Sequence, residues 1–141
     1  MNYKMLALDL DGTLLDEDNA INEQTQRSVE IVREKGLKVI IATGRMFCSA
    51  LPYHRQLGLE GPLIAYNGAY VKHVENDELI FHRPVELEMA RQIIRECEEN
   101  NLHVNLYQDD NLYMEQADSE GRAYERTSGV KAHYLNSSLS G

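Results

Sequence analysis

The sequence contains no tryptophan, three prolines, two cysteines, and only 14 basic residues against 23 acidic ones. The net charge of -9 argues against nonspecific nucleic-acid binding, which depends on basic residues that neutralise phosphates. Cys48 and Cys97 form no CxxC pair, so we expect free thiols in a reducing compartment. No apolar run has membrane-spanning length, and the N-terminus shows no signal-peptide pattern. We therefore expect a cytoplasmic protein with neither a membrane nor a nucleic-acid partner.

A short apolar run at residues 5–8 ends in two carboxylates, Asp9 and Asp11, which Gly12 and Thr13 follow directly. Such a run predicts a strand buried on both faces of a parallel sheet. Ligands bind at the carboxyl ends of the strands in these sheets. Two neighbouring carboxylates also repel each other unless a cation or a shared proton relieves the repulsion. The motif therefore indicates a functional site, although acidic residues with glycine also make ordinary turns after strands.

Strands and helices alternate over the first part of the chain, as in a βαβ fold. The predicted elements that follow the first strand are a helix between Asn22 and Gly36, a strand over residues 37–42, a helix over 49–57, a strand over 63–66, and a hairpin with arms at 69–73 and 78–82. Pro52 sets the predicted start of the second helix near Ser49, because proline is tolerated only in the first turn.

The sequence pattern changes at Pro84. An amphipathic helix is predicted from about residue 85 to residue 101, followed by strands at 102–107 and 112–115. This pattern indicates a helix packed on an antiparallel hairpin, and the polar sequence beyond residue 115 receives no assignment. The 141 residues suffice for one domain plus part of another. We place the boundary near residues 82–85, which divides the chain into domains 1–83 and 84–141.

Three motifs resemble those of a known family. Residues 9–14 (Asp-Leu-Asp-Gly-Thr-Leu) and 42–45 (Ala-Thr-Gly-Arg) resemble the first two motifs of the haloacid dehalogenase superfamily. Residues 66–69 (Tyr-Asn-Gly-Ala) match a further signature of its Cof-like phosphatases, which carry a large cap after the third strand. The resemblance is strong to Ala69 and holds in outline to Glu115. It implies an α/β fold, with half of a doubly wound, Rossmann-like parallel-sheet core followed by part of an α+β cap.

The resemblance also implies a function: a Mg²⁺-dependent phosphatase acting on a small phosphorylated metabolite, such as a sugar phosphate or a nucleotide-like compound. Asp9 would be the nucleophile that forms an aspartyl phosphate. Asp11 would act as the acid and the base, which requires a raised pKa. The Asp9 carboxylate and the Asp11 carbonyl would bind Mg²⁺. The Thr43 hydroxyl and the Gly44 N–H would hold phosphate oxygens.

Alternatives remain open for several of these residues. Arg45 either contacts phosphate or substrate, or pairs with a surface carboxylate. Asn67 is as well suited to a backbone turn as to a substrate contact. Thr43 and Gly44 together could also form a plain turn at a strand end. Asp16 and Asp18 are interpreted as solvated loop residues.

Two later motifs of the family are missing. The third motif requires a lysine and the fourth an acidic pair, and neither Lys131 nor Asp109-Asp110 follows a core strand. We therefore expect the chain to correspond to the N-terminal part of a longer protein, with weak Mg²⁺ binding and impaired catalysis. In the family's strand order the opening strand is central. Its free edge, at residues 5–8, is expected to cause aggregation, swapping or dimerisation.

Two other classes of function compete with the phosphatase. A receiver-type phosphotransfer domain carries its phosphorylated aspartate after the third strand, where this chain has Tyr66-Asn67. A non-catalytic fragment or association module stays open because of the missing motifs. A nucleotide-binding P-loop is excluded because the chain has no G-x-x-x-x-G-K-[ST] segment.

Overall fold

The computed structural model describes residues 3–139. The chain divides into two compact units, Met1–Arg83 and Pro84–Gly141. The elements of the first unit are β1 (Met5–Leu8), α1 (Glu23–Glu34), β2 (Lys38–Ile41), α2 (Phe47–Gln56), β3 (Pro62–Ala65), β4 (Tyr70–His73) and β5 (Leu79–His82). Those of the second are α3 (Leu87–Glu99), β6 (Leu106–Gln108), β7 (Asn111–Met114), α4 (Ser119–Ser128) and β8 (Ala132–Tyr134).

Parallel pairing brings three strand ends of the first unit to one edge. β1 runs parallel to β2, with Leu8 opposite Ile41. A single parallel bridge between Ala42 and Ile64 joins β2 to β3. β4 and β5 then continue from β3 as antiparallel strands. The carboxyl ends of β1, β2 and β3 therefore lie side by side, as the βαβ pattern predicts.

The hydrophobic core of the first unit reaches into the loop that follows β1. Leu10 is fully buried, and Leu14 is 5% exposed. They pack with buried residues of the helices, the other strands and the connecting loops, which include Val29, Ile41, Phe47, Ala50, Leu57 and Leu63. Burying one leucine contributes about 2 kcal/mol, so this burial anchors the acidic segment that contains Leu10.

The predicted burial of β1 on both faces is wrong. Met5 and Ala7 are exposed, whereas Leu6 and Leu8 are half-buried. Successive strand residues point to opposite faces, and no described element of the first unit covers the face that carries Met5 and Ala7. Among the described strands, β1 pairs only with β2.

The predicted start of α2 is also wrong, because the helix begins at Phe47 rather than near Ser49. The N–H of Ala50 already donates to the carbonyl of Met46 at 3.0 Å. Pro52 therefore lies in the helix interior, where it removes one backbone hydrogen bond. Phe47, Ala50 and His54 are buried at helical spacing, and this packing outweighs the local preference of proline.

The second unit contains more structure than the sequence predicted. β6 and β7 form the expected antiparallel hairpin, but β8 adds a parallel strand beside β7. The connecting helix α4 begins at an N-cap, Asp118, whose Oδ1 accepts from the Gly121 N–H at 2.7 Å. It ends at Gly129, which has a φ of +70°. An N-cap aspartate and a terminal glycine are local signals that could have identified this helix.

None of the helices within residues 3–139 combines the length and the apolar character needed to cross a membrane.

Candidate active site

The turn after β1 presents both aspartates at the edge of the sheet. Asp9 is extended, and its Oδ1 accepts from the Leu10 N–H at 2.7 Å. The Leu15 N–H donates to the Leu10 carbonyl at 2.9 Å, which closes the turn. Gly12 reverses the chain with a φ of +68°, a conformation that favours glycine. With Leu10 buried between them, Asp9 and Asp11 both remain exposed.

Arg45 binds Asp11 through two nearly parallel hydrogen bonds. Arg45 Nε lies 2.9 Å from Asp11 Oδ2, and Arg45 Nη2 lies 2.7 Å from Asp11 Oδ1. The Arg45 side chain is 8% exposed, whereas that of Asp11 is 54% exposed. A guanidinium fork matches a carboxylate in this bidentate arrangement. The pair joins the end of β1 directly to the end of β2.

The other N–H groups of Arg45 also bind protein atoms. Nη2 lies 2.8 Å from Asn19 Oδ1, and Nη1 lies 3.3 Å from the Tyr53 hydroxyl. Of the two predicted alternatives for Arg45, this geometry favours carboxylate pairing over a direct phosphate contact. Sequence reasoning missed Asn19 and Tyr53, because no motif or spacing relates a loop asparagine to a tyrosine on α2.

The expected raised pKa of Asp11 is contradicted. The hydrogen bonds from Arg45 lower the pKa of Asp11, and they outweigh the opposing effect of its partial burial. The positive charge of Arg45 acts in the same direction as its hydrogen bonds. Asp11 is therefore held as a carboxylate, the form required of a base rather than an acid.

The end of β2 places Thr43 and Gly44 beside the loop after β3. The Thr43 N–H donates to the Ile64 carbonyl at 3.0 Å, and Thr43 Oγ1 accepts from the Arg45 N–H at 3.2 Å. A Cβ atom on Gly44 would lie 2.9 Å from Asn67 Oδ1, so glycine alone permits this approach. The backbone N–H of Asn67, which has a φ of +54°, donates to the Thr43 carbonyl at 3.1 Å.

The loop between the first motif and α1 is held by its own hydrogen bonds. One carboxylate oxygen of Asp16 accepts from the N–H groups of Asp18 and Ala20 at 3.0 and 2.9 Å. Asp16 lies in an exposed loop, as predicted, and its hydrogen bonds add a structural role. Although exposed, its carboxylate fixes the loop that contains Asn19.

The oxygen donors at this edge suit a hard cation such as Mg²⁺, but they are few. The Asp9 carboxylate and the Asp11 backbone carbonyl are of the right chemical type. Both carboxylate oxygens of Asp11 are bound to Arg45. Within residues 3–139, no group of three His, Cys, Asp or Glu side chains could hold a metal ion. The described residues therefore fit part of a Mg²⁺ coordination shell.

The six candidate residues share one location. They follow three adjacent strands at the same sheet edge: Asp9, Asp11, Thr43, Gly44, Arg45 and Asn67. A phosphatase motif read from the sequence thus corresponds to a set of polar groups that are close in space.

Residues 6–139 match the family model described as haloacid dehalogenase-like hydrolase. The chain belongs to this family. The predicted resemblance is thereby confirmed. A solved haloacid dehalogenase-like hydrolase from Bacteroides thetaiotaomicron, 21% identical, superposes with a TM-score of 0.85 over 98% of this chain and 53% of that one. This similarity confirms the predicted α/β fold class.

Two curated relatives are named as phosphatases. The 5-amino-6-(5-phospho-D-ribitylamino)uracil phosphatase YitU of Bacillus subtilis is 36% identical over 100 residues, which cover 70% of this chain and 37% of that protein. The pyridoxal phosphate phosphatase YbhA of Escherichia coli is 31% identical over 115 residues, which cover 82% of this chain and 42% of that protein. The chain thus spans about two fifths of the length of these relatives.

Proposed function

We propose that this chain carries the nucleophile half of a Mg²⁺-dependent phosphatase that hydrolyses a small phosphorylated metabolite. The supporting observation is the junction of two motifs: the bidentate Arg45–Asp11 pair joins the first acidic motif to the Thr-Gly-Arg segment. The substrate class follows from the relatives, whose names give small organic phosphates as substrates. A sugar phosphate or a nucleotide-like phosphate belongs to this class.

The proposed reaction proceeds in two displacements. A carboxylate oxygen of Asp9 attacks phosphorus, the bond to the leaving-group oxygen breaks, and Asp11 gives that oxygen a proton. Water then attacks the phosphorus of the aspartyl phosphate and gives its proton to Asp11. Inorganic phosphate leaves, and the Asp9 carboxylate is restored.

Asp11 needs a proton in the first displacement, although Arg45 favours its carboxylate form. A bound phosphate dianion beside Asp11 opposes this effect, because a like charge raises the pKa of a carboxyl group. In the second displacement the unprotonated form is the one required. The Arg45 contact therefore favours the step in which Asp11 accepts a proton from water.

Thr43 and Gly44 are the proposed phosphate ligands. The Thr43 Oγ1 accepts from the Arg45 N–H, which leaves its own O–H as a donor. Gly44 is exposed, and its lack of a side chain lets an oxygen approach the backbone N–H. Asn67 lies against Gly44 and borders the same position.

The Asp9 carboxylate and the Asp11 carbonyl are the proposed Mg²⁺ ligands. Mg²⁺ would neutralise charge as one anion approaches another. Because only two protein ligands are proposed, we expect weaker binding than at a site with three carboxylates. Catalysis by this chain is correspondingly expected to be impaired.

Replacement of the nucleophile tests the proposal. We expect Asp9→Asn to lower Mg²⁺-dependent hydrolysis of p-nitrophenyl phosphate about a thousandfold or more, because an amide cannot form the acyl phosphate. Asp18→Asn is the matched control, since the Asp18 hydrogen bond uses its backbone N–H. Phosphate release is measured with Mg²⁺ and with excess chelator. Equal turnover by the Asp9→Asn and Asp18→Asn variants would contradict the proposal, whereas a wild-type chain without turnover would support the non-catalytic alternative.

A further inference from the structure

Two residues outside the family motifs close a ring of hydrogen bonds around Arg45. Arg45 donates to Asn19 Oδ1 through Nη2 and to the Tyr53 hydroxyl through Nη1. The Tyr53 hydroxyl in turn donates to the backbone carbonyl of Asn19 at 3.0 Å. The Arg45 Cζ also lies 5.4 Å from the centroid of the Tyr53 ring, within the range of a cation–π contact. Asn19 and Tyr53 thus contact each other as well as the guanidinium.

The loop conformation directs Asn19 toward Arg45. Asn19 has a φ of +57°, in the left-handed region where asparagine is enriched. Its N–H donates to the Asp16 carbonyl at 3.1 Å, and the Asp16 N–H donates to the Ala20 carbonyl at 3.0 Å. The carboxylate of Asp16 adds two further hydrogen bonds within the loop. The position of the Asn19 amide is therefore fixed by backbone hydrogen bonds on both sides of it.

We propose that Asn19 and Tyr53 are positioning residues that fix the Arg45 guanidinium and, through it, the orientation of the Asp11 carboxylate. A planar guanidinium and a carboxylate make two parallel hydrogen bonds only when they share a plane. Partners on both Nη atoms remove the freedom of the guanidinium to turn out of that plane. The inference rests on the proposed function, because this orientation affects catalysis only if Asp11 transfers protons.

The alternative is a purely structural role. Arg45 is the buried member of its pair, and a buried arginine needs partners for its N–H groups whatever its function. Loss of stability in a variant cannot separate the two roles. The orientation of the guanidinium and the balance between kcat and KM can separate them.

Three variants and a control form the test. Tyr53→Phe keeps the ring and removes the hydroxyl, and Asn19→Gly keeps the left-handed backbone and removes the amide. Asn19→Asp retains an Oδ acceptor as the conservative replacement. Tyr124→Phe is the matched control, since it removes a phenol–phenol hydrogen bond to Tyr107 in the second unit.

Nuclear magnetic resonance of the whole chain gives the first measurement. The Arg45 Nε–Hε signal, assigned by its loss in Arg45→Lys, reports the hydrogen bond to Asp11. We expect Tyr53→Phe and Asn19→Gly to speed hydrogen exchange of this group about tenfold, because a charged hydrogen-bond network loses one member. Asn19→Asp and Tyr124→Phe should stay within about twofold of the wild type. Wild-type exchange rates in both Tyr53→Phe and Asn19→Gly would overturn the proposal.

Kinetics give the second measurement. With p-nitrophenyl phosphate and Mg²⁺, we expect Tyr53→Phe and Asn19→Gly to lower kcat about tenfold and to leave KM within about twofold, since proton transfer is affected rather than phosphate binding. Unchanged kcat alongside faster exchange would reduce the two residues to a structural role and overturn the proposal. A wild-type chain without turnover would support the non-catalytic alternative to the proposed function, while the exchange rates would still decide whether Asn19 and Tyr53 hold Arg45.

Discussion

At the scale of single residues, Gly44 shows how one absent side chain shapes the site. Its backbone lies so close to Asn67 that an added Cβ would be 2.9 Å from the Asn67 amide oxygen. Asn67 is exposed, so its side chain can move aside. Phosphate binding, rather than folding, should therefore depend on this glycine.

We predict that Gly44→Ala changes the free energy of unfolding by less than about 1 kcal/mol, because the displaced Asn67 amide is free to move. Inhibition by inorganic phosphate should weaken, since the added methyl group would border the proposed phosphate position. The double variant Gly44→Ala/Asn67→Gly should relieve the clash, because residue 67 has a positive φ that suits glycine. The methyl group at position 44 stays in place. The inhibition constant for phosphate measures both effects, and an unchanged constant in Gly44→Ala would remove Gly44 from the phosphate site.

His54 makes stability depend on pH. It is 1% exposed, its Nε2 has no hydrogen-bond partner among the described residues, and burial lowers its pKa. As the pH falls below about 6.5, the unfolded chain binds a proton before the folded chain does. We therefore predict that the contribution of His54 to stability is present above pH 6.5 and is lost as the pH falls toward its lowered folded-state pKa.

Urea denaturation at pH 7.5 and pH 5.5 measures this effect. The difference between the two unfolding free energies should be smaller in His54→Gln than in the wild type, because glutamine does not titrate. His133→Gln is the control, since His133 is exposed. An equal pH dependence in the wild type and His54→Gln would contradict the assignment.

These residues also show what a sequence can predict. The acidic motif, Thr43 and Gly44 follow recognisable strand ends, so local pattern located them. The Arg45–Asp11 pair spans 34 positions in the chain, and the contact of Arg45 with Asn19 spans 26. Such contacts arise from tertiary packing, which leaves no periodic signal in the sequence. The pKa of Asp11 was mispredicted for the same reason, because its direction depends on a partner from another strand.

At the scale of elements, the sequence predicted the ends of a helix correctly where the capping residues belong to that helix. Asn22 caps α1, with its Oδ1 accepting from the Thr25 N–H at 2.8 Å, and Gly36 follows the helix with a φ of +82°, as predicted. The predicted start of α2 was wrong, because the packing of Phe47 outweighed the preference of Pro52 for the first turn of a helix. The helix α4 was missed although its cap, Asp118, is of a favoured type.

We predict that Asp118→Ala destabilises the chain by about 1–2 kcal/mol, because α4 loses its N-cap and His103 loses a hydrogen-bond partner at 2.9 Å. Asp118→Asn keeps an oxygen for the Gly121 N–H and should recover most of this loss. Thermal and urea unfolding of the two variants measure the difference. Equal destabilisation by alanine and asparagine would show that the charge, rather than the cap, matters.

At the scale of the whole molecule, the open surface of β1 is the feature with the widest effect. Met5 is 51% exposed, and among the described strands β1 has one neighbour. Unpaired backbone groups beside an exposed apolar face favour strand addition. We predict that the chain self-associates through β1 in a concentration-dependent manner.

Sedimentation velocity across a concentration series measures this association. Met5→Lys should weaken it, because a lysine on an edge strand opposes strand pairing. Met89→Lys on α3 is the control, since Met89 is exposed to a similar degree, 56%. A chain that remains monomeric over the whole series would contradict the prediction, as would equal effects of the two lysines.

The single bridge between β2 and β3 has a consequence for the dynamics of the first unit. The Ala42 N–H donates to the Leu8 carbonyl at 2.9 Å, and the Thr43 N–H donates to the Ile64 carbonyl at 3.0 Å. These two hydrogen bonds join the three strands directly beneath the acidic motif, whereas the amino ends of β2 and β3 border an open groove of about 520 Å³. Hydrogen bonds thus hold the three strands together at the edge that carries the acidic motif, whereas β2 and β3 are not paired at their amino ends. We therefore expect local opening of this unit to begin at the amino ends of β2 and β3, away from Asp9 and Asp11.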